Sequence, residues 1–212
     1  MVTPSGNGAE SRSSVGRQPH GSYDAKALSS FLEFVSESPG PYDLLRHLVH
    51  VPLFSPGPRA GALGMISGEA ELVEMASYGL TKKHGFVERR SVWQKIPPFV
   101  DFHDVLPVRR SVETMREAVT KEGIHLEPEE WVHSVLIQPI HGVRATPIGA
   151  LVLLFDVDMS TALTPLISPK DFHSALLLAL KSELFQSALA ASHLRPQGET
   201  PLLTDREMTC LR

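Results

Sequence analysis

Residues 134–140 and 148–155, SVLIQPI and IGALVLLF, decide how this chain folds. The second run is apolar on both alternating faces, the pattern of a strand covered from two sides, and it predicts a central strand of a sheet. The first run is its partner, reached through a loop at 141–147. Pro139 has no backbone N–H, so it is tolerable near the end of that partner only where no ladder bond is required.

Working upstream, residues 60–67 (AGALGMIS) and 70–78 (AELVEMASY) are strand-like and meet at Gly68-Glu69, a connection with glycine first that suits a tight hairpin turn. Before them, Leu28, Phe31, Leu32 and Val35 recur at helical spacing behind a potential N-cap at Asp24, predicting a helix that ends before Pro39. A second helix starts near Pro41 with Leu44, Leu45, Leu48 and Val49 as its stripe; Pro52, Pro56 and Pro58 prevent its continuation. Both helices are expected to flank the sheet. Residues 1–22, rich in Gly, Ser and Pro, bury too little to offset their ordering and are expected to be a disordered tail.

Between the hairpin and the central pair, Lys82, Lys83, Arg89 and Arg90 read as a solvated face in preference to an anion site. Residues 91–110 then place many large apolar groups in backbone interrupted by Pro97, Pro98 and Pro107, which either line a pocket or close one end of the core. Trp93, Phe99, Phe102 and Trp131 are the candidate ligand-binding residues. A helix over 112–121 follows, with Met115, Ala118 and Val119 inward and Gly123 as its stop. Downstream, Ser168 at N-cap, Pro169 at the first position and Asp171 in the first turn open a long helix. Phe172, Leu176, Leu177, Leu180 and Leu184 carry it to Leu189.

Chemistry finds little support in these residues. The single cysteine, Cys210, excludes an internal disulfide and a thiolate-rich metal site. Ten histidines are present without metal-site spacing. Glu130-x-x-His133 matches half of a di-iron carboxylate motif but has no second copy. His133 and His141 are candidates to approach each other across a hairpin at Pro139, and His103 lies between Phe102 and Asp104; each is expected to be structural or superficial. The expectations are no enzyme activity, no catalytic residue, no metal and no cofactor. A net charge of −4 gives no polyanion-binding surface upstream of the last residues. No apolar run reaches the length of a membrane span, and the chain is expected to be cytoplasmic.

Two resemblances organise these readings. The pair SVLIQPI…PIGALVLLF, with Pro139 and Gly149, resembles the paired strands of GAF domains, and Ala76-Ser77-Tyr78-Gly79-Leu80 is similar to that family's early strands. Across residues 25–190 the likeness implies an α+β sandwich, an antiparallel sheet flanked by helices with a long C-terminal helix. In GAF-containing regulators that helix often packs beside its copy in a dimer, for which Leu177, Phe185 and Leu189 are the residual face here. The methionine sulfoxide reductases and bilin carriers of that family need cysteines that this domain lacks. Its cyclic-nucleotide-binding members need an asparagine, and the only one in this chain is Asn7.

The second resemblance is at 203–212, LTDREMTCLR. Thr204 and Glu207 form a capping box, and Met208 and Leu211 begin an apolar face. Leu203, Thr204, Arg206, Glu207 and Leu211 resemble the opening of the DNA-binding domain of LuxR-type regulators, which contains a helix-turn-helix. The expected organisation is therefore a tail at 1–22, a GAF-like sensory and dimerisation domain at 23–192, a linker at 193–202 and the truncated start of the DNA reader at 203–212. The resemblance implies a transcriptional regulator that binds DNA beyond Arg212, responds to a small-molecule effector and forms a homodimer. The alternative is a GAF-like small-molecule-binding or protein-docking module with a different output.

Overall fold

The computed structural model describes residues 23–66, 72–80, 106–121, 129–142 and 147–191. The expected tail, the Gly68-Glu69 turn, the basic stretch 82–90, Gly123, the linker and the terminal motif lie outside the described residues.

Two helices open the domain. The first, α1 (Ala25–Ser36), begins where the Asp24 carboxylate accepts the N–H groups of Lys26 and Ala27 at 2.8 and 3.3 Å, donors that a first turn leaves without partners. In α2 (Pro41–His50), Pro41 occupies the position where a missing N–H costs least. Ser38, in the turn between them, has φ 58°, a left-handed conformation costing a non-glycine residue roughly 1–2 kcal/mol.

The strands are β1 (Phe54–Ser55), β2 (Ala60–Ile66), β3 (Leu72–Tyr78), β4 (Val108–Ser111), β5 (Ser134–His141), β6 (Pro147–Phe155) and β7 (Thr164–Pro165). Five of them form an antiparallel sheet in the order β3-β2-β6-β5-β4, while β1 pairs with β7. The remaining helices are α3 (Val112–Lys121), α4 (Pro169–Leu180) and α5 (Glu183–Ala191). This is the α+β arrangement expected, an antiparallel sheet flanked by helices.

As its two-faced apolar run predicts, β6 is central. Leu151, Leu153 and Phe155 belong to one buried cluster, Ala150, Val152 and Leu154 to another. Pro139 pairs with Ala150, and β4 reaches only residues 134–137, so among the described residues no strand on the other side requires an N–H from Pro139. At Gly149 the backbones of β6 and β2 are so close that a Cβ would meet the Gly64 carbonyl oxygen and Met65.

The first face of the sheet carries the larger core. Phe31 of α1, Leu44 and Leu45 of α2, Phe172 and Leu176 of α4, and Phe185 of α5 pack there with Leu63, Leu136 and Phe155. On the second face, Val112 and Met115 of α3 pack with Val135, Ile137, Val152 and Leu154.

Two expectations are corrected. The long C-terminal helix is two helices, because Ser182 Oγ donates to the Pro39 carbonyl at 2.8 Å and accepts the Phe185 N–H at 3.2 Å, capping α5 as a new start. Phe185 is consequently buried and unavailable as a dimerisation residue; Leu177 is half-buried, and the Leu189 side chain lies outside the described residues. The exposed leucines of this region are instead Leu178 and Leu184, at 38% and 56%. Pro139, secondly, is not in a hairpin but inside β5, which runs on to His141. His133 and His141 therefore stand near opposite ends of one strand, about 26 Å apart at ~3.3 Å per residue, and do not meet.

Candidate functional site

The second face of the sheet is the candidate binding surface, and of the four expected pocket residues Trp131 is described; Trp93, Phe99 and Phe102 lie outside the described residues. Trp131 is half-buried against the second cluster, which contains Ala60, Val112 and Leu154. Its indole Nε1 donates to Glu129 Oε2 at 2.7 Å, which satisfies the polar end of an otherwise apolar ring. The Arg59 guanidinium lies 5.7 Å from the Trp131 ring centroid and also pairs with Asp156 at 3.1 Å. That ion pair is largely exposed and contributes little by itself.

Register brings a further group to this face. Glu74 pairs opposite Gly64 and Ser77 opposite Ala62, while Gly64 and Ala62 pair with Ala150 and Val152 on the other side. Alternation thus sends the Glu74 and Ser77 side chains over a floor of small residues, Ala60, Ala62, Gly64 and Ala150. Burial pushes the Glu74 carboxyl up, and a hydrogen bond with Ser77 pulls partly back. Its Oε2 is buried without a hydrogen-bond partner among the described residues. Such a surface can cover an apolar body and accept a hydrogen bond from it. The sequence reading did not single out Glu74, because its place opposite Gly64 is set by strand register.

The histidines are distributed over several environments. His141 is buried, and its ring centroid is 6.0 Å from that of His173 on α4. The His141 backbone N–H donates to His173 Nε2 at 3.1 Å, so the neutral His173 ring carries its proton on Nδ1. Burial pushes the His173 pKa down, and His141 lowers it further. His47 stacks on Phe34 with centroids 3.8 Å apart, and its pKa is pushed down by burial against an opposing pull from Glu37. His50 Nε2 and the Tyr78 hydroxyl are 2.7 Å apart. Glu130 and His133 are exposed in the non-helical segment before β5, so they share no helical face; His103 lies outside the described residues. Among the described residues, no group of three or more His, Cys, Asp or Glu is arranged to hold a metal ion. Also among them, no helix is long and apolar enough to cross a membrane.

Arg109 was not singled out by the sequence, yet its side chain makes five hydrogen bonds. Its Nε and one terminal nitrogen donate to Ser134 Oγ at 3.2 and 2.8 Å; the same nitrogen reaches the carbonyls of Val157 and Asp158 at 3.3 and 2.7 Å. The other terminal nitrogen donates to the Thr161 carbonyl at 2.6 Å. Burial pushes the guanidinium pKa down, with Asp158 opposing. Asp158 accepts hydrogen bonds from Ser160 and Thr161, which hold its carboxyl below the usual range. This network locks the 157–161 turn to β4 and β5 and is structural.

No protein-family model matches this sequence, and no curated protein matches it. The backbone is similar to that of solved GAF domains. One, from an Acinetobacter phosphoenolpyruvate-protein phosphotransferase, is 14% identical with a TM-score of 0.46, covering 82% of this chain and 96% of that one. A second, from a phosphoenolpyruvate-protein phosphotransferase of Coxiella burnetii, is 17% identical with a TM-score of 0.46, over 79% and 94%. A GAF domain/HD domain protein from Geobacter sulfurreducens is 18% identical with a TM-score of 0.36, over 80% and 97%. Each of these is a likeness of backbone at low identity, and it assigns no ligand, partner or activity to this chain.

Proposed function

We propose that the chain is the GAF-like sensory and regulatory part of a LuxR-type DNA-binding transcriptional regulator, and that it acts by binding and not by catalysis. The observation that carries this reading is the motif Leu203-Thr204-Asp205-Arg206-Glu207 with Leu211, which follows the folded domain through the Pro/Gly-containing residues 193–202. The net charge of −4 gives this domain no polyanion-binding surface, which supports DNA contacts made outside it. The second face of the sheet, with Trp131 and Glu74, is the place for a small-molecule effector. Leu178 and Leu184, exposed on α4 and α5, are the contact residues of a homodimer that would set the spacing of two DNA readers.

The test is a gel shift comparing the 212-residue chain with a version extended into the residues encoded after Arg212. The extended protein is expected to bind DNA with affinity falling steeply as salt rises, because Lys and Arg contacts to phosphate release counterions. The shorter chain is expected not to bind. Equal binding by both sinks the division of labour, and binding by neither favours a GAF-like module with a different output.

A further inference from the structure

The break between α4 and α5 has one local signal, Ser182 as the N-cap of α5, in a segment that otherwise favours a continuous helix. Residues 178–191, LALKSELFQSALAA, contain neither proline nor glycine and are dominated by good helix formers. Lys181 keeps right-handed helical dihedrals, φ −81° and ψ −11°. Its N–H and that of Ser182 have tightened onto the carbonyls of Leu178 and Ala179, three residues back, at 3.1 Å each. By Gln186 the four-residue ladder has resumed, with its N–H on the Ser182 carbonyl at 3.0 Å.

The local cap is reinforced by distant parts of the fold, which hold the chain off a straight path. Ser182 Oγ donates to the Pro39 carbonyl in the turn between α1 and α2, and accepts the Phe185 N–H. Phe185 is wholly buried in the main core. The Gln186 side chain donates to the Leu180 carbonyl at 2.7 Å, covering an acceptor that the interrupted ladder leaves open. The turn that anchors Ser182 includes Ser38 at φ 58°, a strained conformation that the surrounding packing must maintain.

We propose that this junction is a two-state latch. In the docked state α4 and α5 are separate and Phe185 is buried; in the released state they join into one helix over 169–191 and Phe185 leaves the core. Local propensity favours the joined form, and tertiary contacts favour the docked form. A change at residues 38–40 therefore shifts the balance and redirects whatever follows α5. The inference stands on the junction's geometry and does not require the DNA-binding reading.

Spin labels at Lys170→Cys and Ser187→Cys, both exposed, in a Cys210→Ser background measure the state directly. A continuous helix separates these positions by about 26 Å, at 1.5 Å per residue, and a bend at the junction shortens that separation. Ser182→Ala removes both hydrogen bonds of the hydroxyl and is expected to move the distribution toward the long distance. Glu183→Pro suits the first position of α5 but cannot continue the α4 ladder, so it is expected to give only the short distance. An unchanged distribution in a folded Ser182→Ala variant, or a lengthened one in Glu183→Pro, overturns the latch. Should Ser182→Ala fail to fold, the unsubstituted protein is expected to show a minor long-distance population that Glu183→Pro lacks, and identical distributions overturn the proposal equally.

Discussion

At His173 packing and protonation oppose each other. Nε2 accepts the His141 N–H, a bond that the protonated ring cannot make, and burial followed by the neighbouring His141 pushes its pKa below 6.5. The folded state thus binds the proton less readily than the unfolded chain. The stability this contributes is fully present above the unfolded value near 6.5 and is lost as pH falls through the lower folded value. His47 carries the same sign, since burial outweighs the pull of Glu37. Glu74 carries the opposite sign: its carboxyl is raised above 4.5, so its contribution is present at low pH and is lost as pH rises. Urea midpoints of the His173→Gln variant and the parent, compared between about pH 8 and about pH 5, isolate one group because the other two cancel in the difference. The parent is expected to lose more stability on acidification, and parallel curves would remove His173 from this account.

A four-residue edge strand such as β4 has little of its own to hold it, and Arg109 supplies what the strand lacks. Five donor contacts tie β4 to Ser134 of β5 and to three carbonyls of the 157–161 turn. Arg109→Met keeps much of the apolar stem but removes the donors from the buried Ser134 hydroxyl and from part-buried carbonyls, a lost donor to a buried acceptor costing about 1–3 kcal/mol. A total loss of roughly 2–4 kcal/mol in urea unfolding is expected, and Arg109→Lys is expected to recover little because an ammonium does not reproduce the planar fork. A loss under about 0.5 kcal/mol, the range of ordinary surface substitutions, would show that the network contributes nothing net. At the same scale, the element starts were legible where the capping chemistry is local. Asp24 caps α1, and Ser168, which precedes Pro169, accepts the Asp171 N–H at 3.1 Å. The end of α4 was not legible, because the residue that ends it bonds to Pro39.

For the molecule as a whole, the proposed homodimer depends on side chains that the domain leaves uncovered. Leu184→Glu places a charge at a position 56% exposed, so it is expected to leave the urea midpoint within about 0.5 kcal/mol of the parent while shifting sedimentation toward monomer. A parent that is monomeric at every concentration, or a variant that dimerises as well as the parent, would remove α4 and α5 from the interface. Trp131 stands on the second face, while its three expected companions lie outside the described residues. Glu74 joins that face through strand register, which no spacing within its own strand could reveal.

The sequence by itself determined what rests on neighbours along the chain: the periodicity of α1 and α2, the two-faced apolar run of β6, the caps, and the place where a proline could sit in β5. These interactions span a few residues, so the order of amino acids contains both partners. Only the tertiary structure decided the rest. It joined Arg109 to a turn 48 to 52 residues away, His173 to a strand end 32 residues earlier, and Ser182 to Pro39 across 143 residues. The local pattern was compatible with two outcomes, a continuous or an interrupted helix, a surface or a buried histidine. The choice fell to whichever distant segment folded back to complete the hydrogen bond or cover the ring.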